Sequence, residues 1–245
     1  MSSTSKIIYW TAMTDIAFEA GGRTMPLEVI RRSGMRRMNL RIDAKRGRVC
    51  LTLPRFAPLG PAMRWVSEKR PWVEAQLAAL PGADPIRPGM TIPCGDLSYL
   101  LHWDEKGRRT PEIDGLTLRV GGPLAALGPR VMRWLKRQAL DRLSAETALV
   151  AARAGVTIEA VGIGDPISRW GSCSASGAIR YSWRLILAPD FVLKATVAHE
   201  VAHRIHMNHG PAFHVLVDEL LGSSAKPARC WLKAYGAGLH GFGRE

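Results

Sequence analysis

Histidines crowd into one short stretch near the C-terminal end of the chain. Of seven histidines, five lie between His199 and His214. Imidazole is the commonest protein ligand for transition metals, and it titrates nearest to neutral pH. This crowding indicates a metal site or a proton-transfer site.

The order His199-Glu200-x-x-His203 narrows the chemistry further. Residues four apart lie on one face of a helix, so the two imidazoles can bind one ion. Glu200, beside the first ligand, can then reach a metal-bound water and act as its general base. Apolar residues flank the motif, as expected for a buried active-site helix. The pattern predicts one zinc ion, Zn²⁺, that activates water for hydrolysis.

A third ligand is expected from the residues that follow. His209 lies between Asn208 and Gly210, and both of these residue types tolerate the left-handed conformation that ends a helix. We therefore expect the chain to turn back and bring His209 to the metal. The alternative third ligands are His206, His214 and Glu219. His206 and His214 are otherwise expected beside the metal ligands or in the pocket wall.

Hydrolysis also requires a donor for the negative charge that develops on the scissile carbonyl. Five side chains near the motif or in the flanking segments carry a suitable hydrogen. They are Tyr181, Arg184, His206, His214 and Tyr235. The sequence does not choose among them.

The elements before the motif are predicted from apolar periodicity. Residues 24–54 alternate in three short pieces, which favours antiparallel strands with a turn at 43–47. A helix is predicted over 61–80, interrupted at Pro71. Within 85–120, short strands are predicted at 90–95, 97–103 and 116–120.

A second set of elements carries the histidines. A helix is predicted from Pro129 to Ala154, and a strand-like segment at 157–164 follows it. Residues 168–177 are interpreted as a loop and 178–188 as a long extended segment that could offer an edge to a substrate peptide. Pro189 begins the histidine helix, and a short helix is predicted near 225–235.

Charge is unevenly distributed along the chain. Lys and Arg number 34 against 21 Asp and Glu, for a net charge of +13. Residues 31–55 contain nine of these bases and one acid. One interpretation is a nucleic-acid surface, formed by Arg31, Arg32, Arg36, Arg37 and Arg41. The other is a solvated strand face that keeps the protein soluble, and no aromatic residues alternate with these arginines.

Cysteine spacing and hydropathy indicate in which cellular compartment the protein is expected. The four cysteines are far apart, with no CxxC pair, which fits a reducing, cytoplasmic environment. No apolar run approaches the roughly 18–20 residues of a membrane span. We identify no signal peptide at the start of the sequence and expect no membrane partner.

Several segments resemble the YgjP-like family of metal-dependent hydrolases, which is related to the SprT-like and WLM zinc peptidases. The most specific are SRWGSC at 168–173, WRLILAP at 183–189, HEVAH at 199–203 and NHGPAF at 208–213. Weaker matches are IRRS at 30–33, RMNLR at 37–41 and KRPWV at 69–73. The resemblance covers roughly residues 23–240. The chain differs from the family at Gly210, where a serine is usual, and at His214, where a tryptophan is usual.

The resemblance implies an α+β, zincin-like metallopeptidase domain. It implies zinc ligation by His199, His203 and His209, with Glu200 catalytic. The expected organisation is an extension at 1–22, an antiparallel β-rich N-terminal lobe at 23–125, a C-terminal helical lobe carrying HExxH at 126–240, and a tail at 241–245. The two lobes together form one domain.

The sequence therefore predicts a zinc metallopeptidase that cleaves peptide bonds in a protein or peptide substrate. Two alternatives use the basic segment: a zinc-containing nucleic-acid-binding module with an idle HExxH, and a protease recruited to DNA. Hydrolysis of a non-peptide amide would use the same site. The oligomeric state is not indicated by the sequence.

Overall fold

The alternating N-terminal segments form a four-stranded sheet. The computed structural model describes residues 10–20, 23–43, 47–78 and 82–244, and it divides into two compact units, residues 1–80 and 81–245. The strands of the first unit are β1 (Trp10–Ala20), β2 (Arg23–Arg32), β3 (Asn39–Asp43) and β4 (Arg48–Pro54), in the order β1-β2-β4-β3. The helices α1 (Leu59–Glu68) and α2 (Arg70–Ala78) follow them. Alternate residues of the strands, among them Leu27 and Leu51, are fully buried in the core of this unit.

Strand direction in this sheet differs in part from the prediction. β3 and β4 are antiparallel, as predicted, with Leu40 opposite Leu51. β2 and β4, in contrast, are parallel, with Val29 opposite Leu51. The expectation of antiparallel strands throughout is wrong here, because alternation reports which face is buried and not which strand is the neighbour. Residues 44–46 of the predicted turn lie outside the described residues.

Two further differences concern the ends of this unit. The expected N-terminal extension contributes β1, whose Phe18 pairs with Met25 of β2 and is buried. The predicted helix is interrupted at Lys69, two residues before Pro71. Proline clashes with the preceding turn, so it is tolerated within the first turn of α2 and the break falls before it.

The second unit begins with a four-stranded sheet. Its strands are β5 (Thr91–Cys94), β6 (Leu97–Asp104), β7 (Glu112–Asp114) and β8 (Thr117–Gly121), in the order β5-β6-β8-β7. The long helix α3 (Leu127–Ala154) follows and ends at Gly155, which has φ 64° in the left-handed region. The structure confirms the predicted helix up to Ala154. β7, whose residues are all exposed, has no alternating pattern and was not predicted.

The remaining elements form a small sheet and three helices. They are β9 (Ala160–Gly164), β10 (Gly171–Cys173), β11 (Ala178–Ser182), α4 (Asp190–Ala202), α5 (Pro211–Leu221) and α6 (Lys226–Leu239). The sheet order is β10-β11-β9, so β11 lies in the centre. Residues 81–125 share one hydrophobic core with α3, since Leu118 and Leu135 belong to the same buried cluster. The division of the chain therefore falls after Leu80, whereas the sequence suggested 125–126.

Residues 168–188 fold differently from the prediction. The expected loop contains strand β10, and the expected extended segment is strand only as far as Ser182. Trp183–Leu187 form a 3₁₀ helix in which every residue is buried. A strand covered on one side would expose alternate residues, so this continuous burial does not fit an exposed edge. The unpaired edge of this sheet near the histidines belongs to β10.

The observed fold is α+β, with a β-rich N-terminal region and a helical C-terminal region. Among the described residues, no helix is both long enough and apolar enough to cross a membrane.

Candidate metal centre

Helix α4 is anchored at its first residue by the second unit's own strands. The backbone N–H of Asp190 donates to the Asp96 carboxylate at 2.9 Å, and the N–H of Asp96 donates to the Asp190 carboxylate at 3.1 Å. Arg142 of α3 forms an ion pair with Asp190. The start of the helix is therefore fixed to both the β5–β6 turn and α3. The prediction that Pro189-Asp190 begins this helix is confirmed.

Three imidazoles converge at the other end of α4. His199 lies in its last turn, His203 caps it, and His209 lies in the connection to α5. The ligand nitrogens of all three lie within 4.8 Å of one another. Nε2 of His199 is 3.1 Å from Nε2 of His209. A tetrahedral zinc with Zn–N bonds of about 2.0–2.1 Å has nitrogens about 3.3 Å apart, so this spacing fits such an ion.

A hydrogen bond favours the metal-binding tautomer of His203, and burial favours the neutral form of both His203 and His199. Nδ1 of His203 lies 3.1 Å from the backbone carbonyl of His206. With the proton on Nδ1, that nitrogen donates to the carbonyl and leaves Nε2 free to bind a metal. Burial, together with the neighbouring His203 and His209, lowers the pKa of His199 to about 4. Burial also lowers the pKa of His203. The donor set therefore fits a divalent metal such as zinc.

Phe213 of α5 supports the three imidazoles together. Its ring centre lies 4.8 Å from that of His199, 4.7 Å from that of His203 and 4.8 Å from that of His209. The side chain is buried, with 1% of its surface exposed. Packing of α5 against α4 thus holds the third histidine against the two on the helix.

The chain reverses between α4 and α5 without a left-handed residue. The N–H groups of Ile205 and His206 donate to the carbonyl of Ala202 at 3.0 and 2.9 Å. Gly210 caps α5 in an extended conformation with φ −76°, and no described non-glycine residue, Asn208 included, has positive φ. The expectation of a left-handed turn is wrong, because tight turn hydrogen bonds reverse the chain instead.

Glu200 projects from α4 toward strand β10. It is 4% exposed, and burial raises the pKa of its carboxyl group to about 7, although nearby Arg169 opposes this shift. The carboxylate lies over Gly171 so closely that a Cβ atom built there would be 2.6 Å from both Cγ and Cδ of Glu200. A glycine on the strand edge thus provides the space that the carboxylate occupies.

A cavity of about 250 Å³ adjoins His199 and Glu200. Most of its wall is apolar or small, contributed by Trp170, Ala195, Val217, Ala225, Ala228 and Leu232. Arg169 and Arg229 also line it, and both side chains are exposed. The site therefore has a nonpolar space beside its carboxylate and two cations at its opening.

Two of the proposed oxyanion donors, Tyr181 and Arg184, are buried in the core. Tyr181 is fully buried in the core, where its hydroxyl bonds to Thr147 at 3.0 Å and burial raises its pKa. Arg184 is 2% exposed and pairs with Asp165 at 2.7 Å. It also donates to the carbonyls of Leu239 and Phe242 at 2.6 and 3.0 Å. Both side chains are therefore held by partners in the core.

The other candidates lie at differing distances from the triad. The His214 ring is 6.5 Å from that of His209, on the exposed side. His206 contributes its backbone carbonyl to His203. Tyr235 is 62% exposed and packs against Trp231. Glu219 is exposed and does not belong to the metal-binding group found among the described residues.

The arginines proposed as a nucleic-acid surface lie in the first unit. Nη1 of Arg31 donates to the carbonyls of Arg55 and Ala57 at 2.9 and 2.6 Å, so this side chain stabilises a loop. The remaining four are exposed; they are Arg32, Arg36, Arg37 and Arg41.

Sequence reasoning assigned no role to four residues at the centre. Phe213 and Gly171 lie inside the quoted motifs, but no pattern showed that one packs against three imidazoles and the other faces Glu200. Arg169 and Arg229 are separated by sixty positions and carry no common signal.

Comparison with known proteins places these residues within one family domain. A family model described as "YgjP-like, metallopeptidase domain" matches residues 36–235. Comparisons with curated proteins and with solved structures gave no match.

Proposed function

The chain belongs to the YgjP-like metallopeptidase family, and from this premise we propose that it is a zinc-dependent peptidase with His199, His203 and His209 as ligands. The observation that carries the proposal is the convergence of three imidazole nitrogens within 4.8 Å beside a buried carboxyl group. The lowered pKa values of His199 and His203 favour metal binding, since protonated imidazoles cannot be ligands.

When bound, zinc polarises the scissile carbonyl and acidifies the attacking water. Glu200 takes the proton from that water on a carboxylate oxygen and later gives it to the leaving amine. Burial raises its pKa to about 7, which suits a group that must accept and return a proton near neutrality. His214, exposed beside His209, is the candidate for stabilising the developing oxyanion.

The substrate backbone is proposed to pair with β10. Within the described sheet β10 has one neighbour, β11, and its Gly171 faces Glu200. An extended peptide that adds to this edge gains main-chain hydrogen bonds and passes beside the base. This assigns to β10 the role that the sequence suggested for 178–188.

Replacement of the base tests this function. Glu200→Gln is expected to bind one zinc per chain and to lose at least about 10²-fold in hydrolysis of an unfolded protein. Glu219→Gln, an exposed carboxyl on α5, is the matched control and should retain activity. Full activity of Glu200→Gln at equal zinc content would contradict the mechanism, and zinc binding without hydrolysis by the unmodified chain would favour the module with an idle HExxH.

A second function is favoured by a specific observation in the first unit. We propose that this unit binds single-stranded nucleic acid at a cavity of about 270 Å³. Its lining comprises Met38, Asn39, Leu40, Trp65, Lys69 and Trp72. Trp72 is 43% exposed, and the Lys69 ammonium lies 5.9 Å from the centre of the Trp65 ring. Aromatic faces with neighbouring cations are what base stacking and phosphate binding require.

Fluorescence anisotropy with a labelled 12-mer oligothymidylate tests this second function. Binding is expected to weaken steeply between 50 and 200 mM salt, and about tenfold or more on Trp72→Ala. Phe56→Ala removes a ring that is 86% exposed but does not line the cavity, and it should have no effect. Equal loss in both variants, or no measurable binding at 50 mM salt, would exclude a stacking site here.

A further inference from the structure

The cavity beside Glu200 combines two features that a nonspecific peptidase does not need. Its wall is mostly apolar, and its volume of about 250 Å³ is large enough to receive one side chain. Arg169 and Arg229 line it as well, on different elements: one precedes β10 and the other lies on α6.

The two arginines are not held by close polar contacts in the described part of the chain. Among the residues that the structure describes, neither forms an ion pair or a side-chain hydrogen bond. Other arginines of the second unit are paired, such as Arg142 with Asp190 and Arg184 with Asp165. Arg169 and Arg229 line the same cavity as His199 and Glu200, so both side chains lie beside the reacting groups.

We propose that this cavity holds the C-terminal residue of a peptide substrate, with its apolar side chain inside and its α-carboxylate on Arg169 and Arg229. The proposal rests on the peptidase function above and specifies its substrate class. Guanidinium groups bind carboxylates through paired, charge-assisted hydrogen bonds. Because the arginines are exposed while the wall behind them is apolar, the carboxylate stays at the opening and only nonpolar surface enters.

An internal acidic side chain fits the same cavity less well. To reach the space its charge would leave water and enter a wall of alanine, valine and leucine, and a buried charge is costly without a partner inside. In a C-terminal residue the α-carboxylate and the side chain are both attached to the same Cα. The carboxylate can therefore stay at Arg169 and Arg229 while the nonpolar side chain enters the cavity.

The reaction that follows is removal of the last residue. Water adds its oxygen to the carbonyl carbon of the final peptide bond, and the C–N bond breaks. Both protons of the water end on the leaving nitrogen, which is released as an ammonium group, and the water oxygen remains in the new carboxylate of the shortened peptide. No other reactant is consumed.

Two blocked tetrapeptides ending in leucine test the proposal, one with a free carboxylate and one with an amide. We expect kcat/KM for the free acid to exceed that for the amide by about tenfold or more, from charged hydrogen bonds made at an exposed site. Arg169→Gln and Arg229→Gln should each reduce this ratio, and the double variant should bring it close to one. The ratio is the informative quantity, because a change at Arg169 that alters Glu200 affects both peptides alike. Lys233→Gln, an exposed cation one turn further along α6, is the matched control.

Binding separates this proposal from the peptidase function. Calorimetry of both peptides with the metal-free chain should show tighter binding of the free acid, lost in the double variant. If the chain binds the free acid more tightly but the zinc-loaded chain hydrolyses neither peptide, the carboxylate-binding pocket is supported and the peptidase function is contradicted. Hydrolysis of both peptides with equal kcat/KM, or preference for an amidated peptide with an internal aspartate, would overturn the pocket.

Discussion

Gly171 offers a direct test of how the base is positioned. The Glu200 carboxyl group rests over the backbone of β10, where glycine leaves the space for it. In Gly171→Ala, the new methyl carbon would lie 2.6 Å from Cγ and Cδ of Glu200. Ordinary carbon contacts are about 3.5–4.0 Å, so the two groups must separate by about 1 Å.

Either the Glu200 side chain or strand β10 must move to create this separation. Both are packed, because Glu200 is 4% exposed and β10 is hydrogen-bonded to β11. Overpacking of this kind costs about 1–3 kcal/mol of stability. A displacement of about 1 Å in a reacting group can reduce the rate about 10²-fold. The three histidines are not attached to β10, so zinc binding should remain within a few fold of the unmodified chain.

Three measurements on one preparation check this prediction: zinc per chain, thermal unfolding, and kcat/KM on an unfolded protein. Gly162→Ala is the control, because Gly162 lies on β9 of the same sheet and a Cβ there meets nothing within 4 Å. Unchanged activity of Gly171→Ala would refute the reasoning. Loss of zinc together with activity would refute it as well, since the strand would then position the ligands and not the base alone.

Three further predictions concern the support of the centre. Phe213→Ala should lower the free energy of unfolding by about 3–5 kcal/mol and weaken zinc binding. Leu220→Ala, at a buried position on the same helix, should lower the stability of the protein and leave its zinc affinity unchanged. Calorimetric zinc titration distinguishes the two variants. Arg184→Met removes the buried guanidinium that pairs with Asp165 at 2.7 Å and should lower the free energy of unfolding by about 3–5 kcal/mol in urea, with no change in kcat for the folded fraction; a selective loss of kcat would instead give Arg184 a role in the reaction. The metal-free Glu200→Gln chain should lose stability as pH falls from about 6.5 toward 4, because the pKa of His199 is about 4 when folded and about 6.5 when unfolded, so the unfolded state binds the proton first. In the unmodified chain Glu200, whose pKa is raised to about 7 when folded, takes up a proton in the folded state over the same range and offsets this loss. Urea midpoints of Glu200→Gln that are independent of pH in this range would contradict the prediction.

The sequence predicted the centre well where chemistry and helical spacing coincide. His199, Glu200 and His203 belong to one pattern whose period is that of a helix, so their relative placement follows from local geometry alone. His209 was favoured from a turn signal, and it does meet the other two. The signal itself was mistaken, since the turn contains no left-handed residue and its reversal depends on backbone hydrogen bonds to Ala202.

Contacts between distant segments were not predictable in this way. Nothing local indicates that Gly171 faces Glu200, or that Arg169 and Arg229 share one cavity. The parallel pairing of β2 with β4 was not predictable either. The alternation of apolar and polar residues shows which face of a strand is buried, but it does not show which strand lies beside it. The burial of Arg184 was not predictable for a related reason: its partners, Asp165 and the carbonyls of Leu239 and Phe242, lie far away in sequence.

The three proposed ligands are not held equally firmly by the fold, and the difference should affect metal binding. His199 and His203 are positioned by α4, so they require no further ordering. His209 depends on the connection to α5 and on the ring of Phe213, which contacts all three imidazoles. Any metal that binds all three therefore stabilises the packing of α5 on α4, and that packing stabilises the bound metal to the same extent. A change that loosens α5 should thus appear as weaker metal affinity before any ligand is altered.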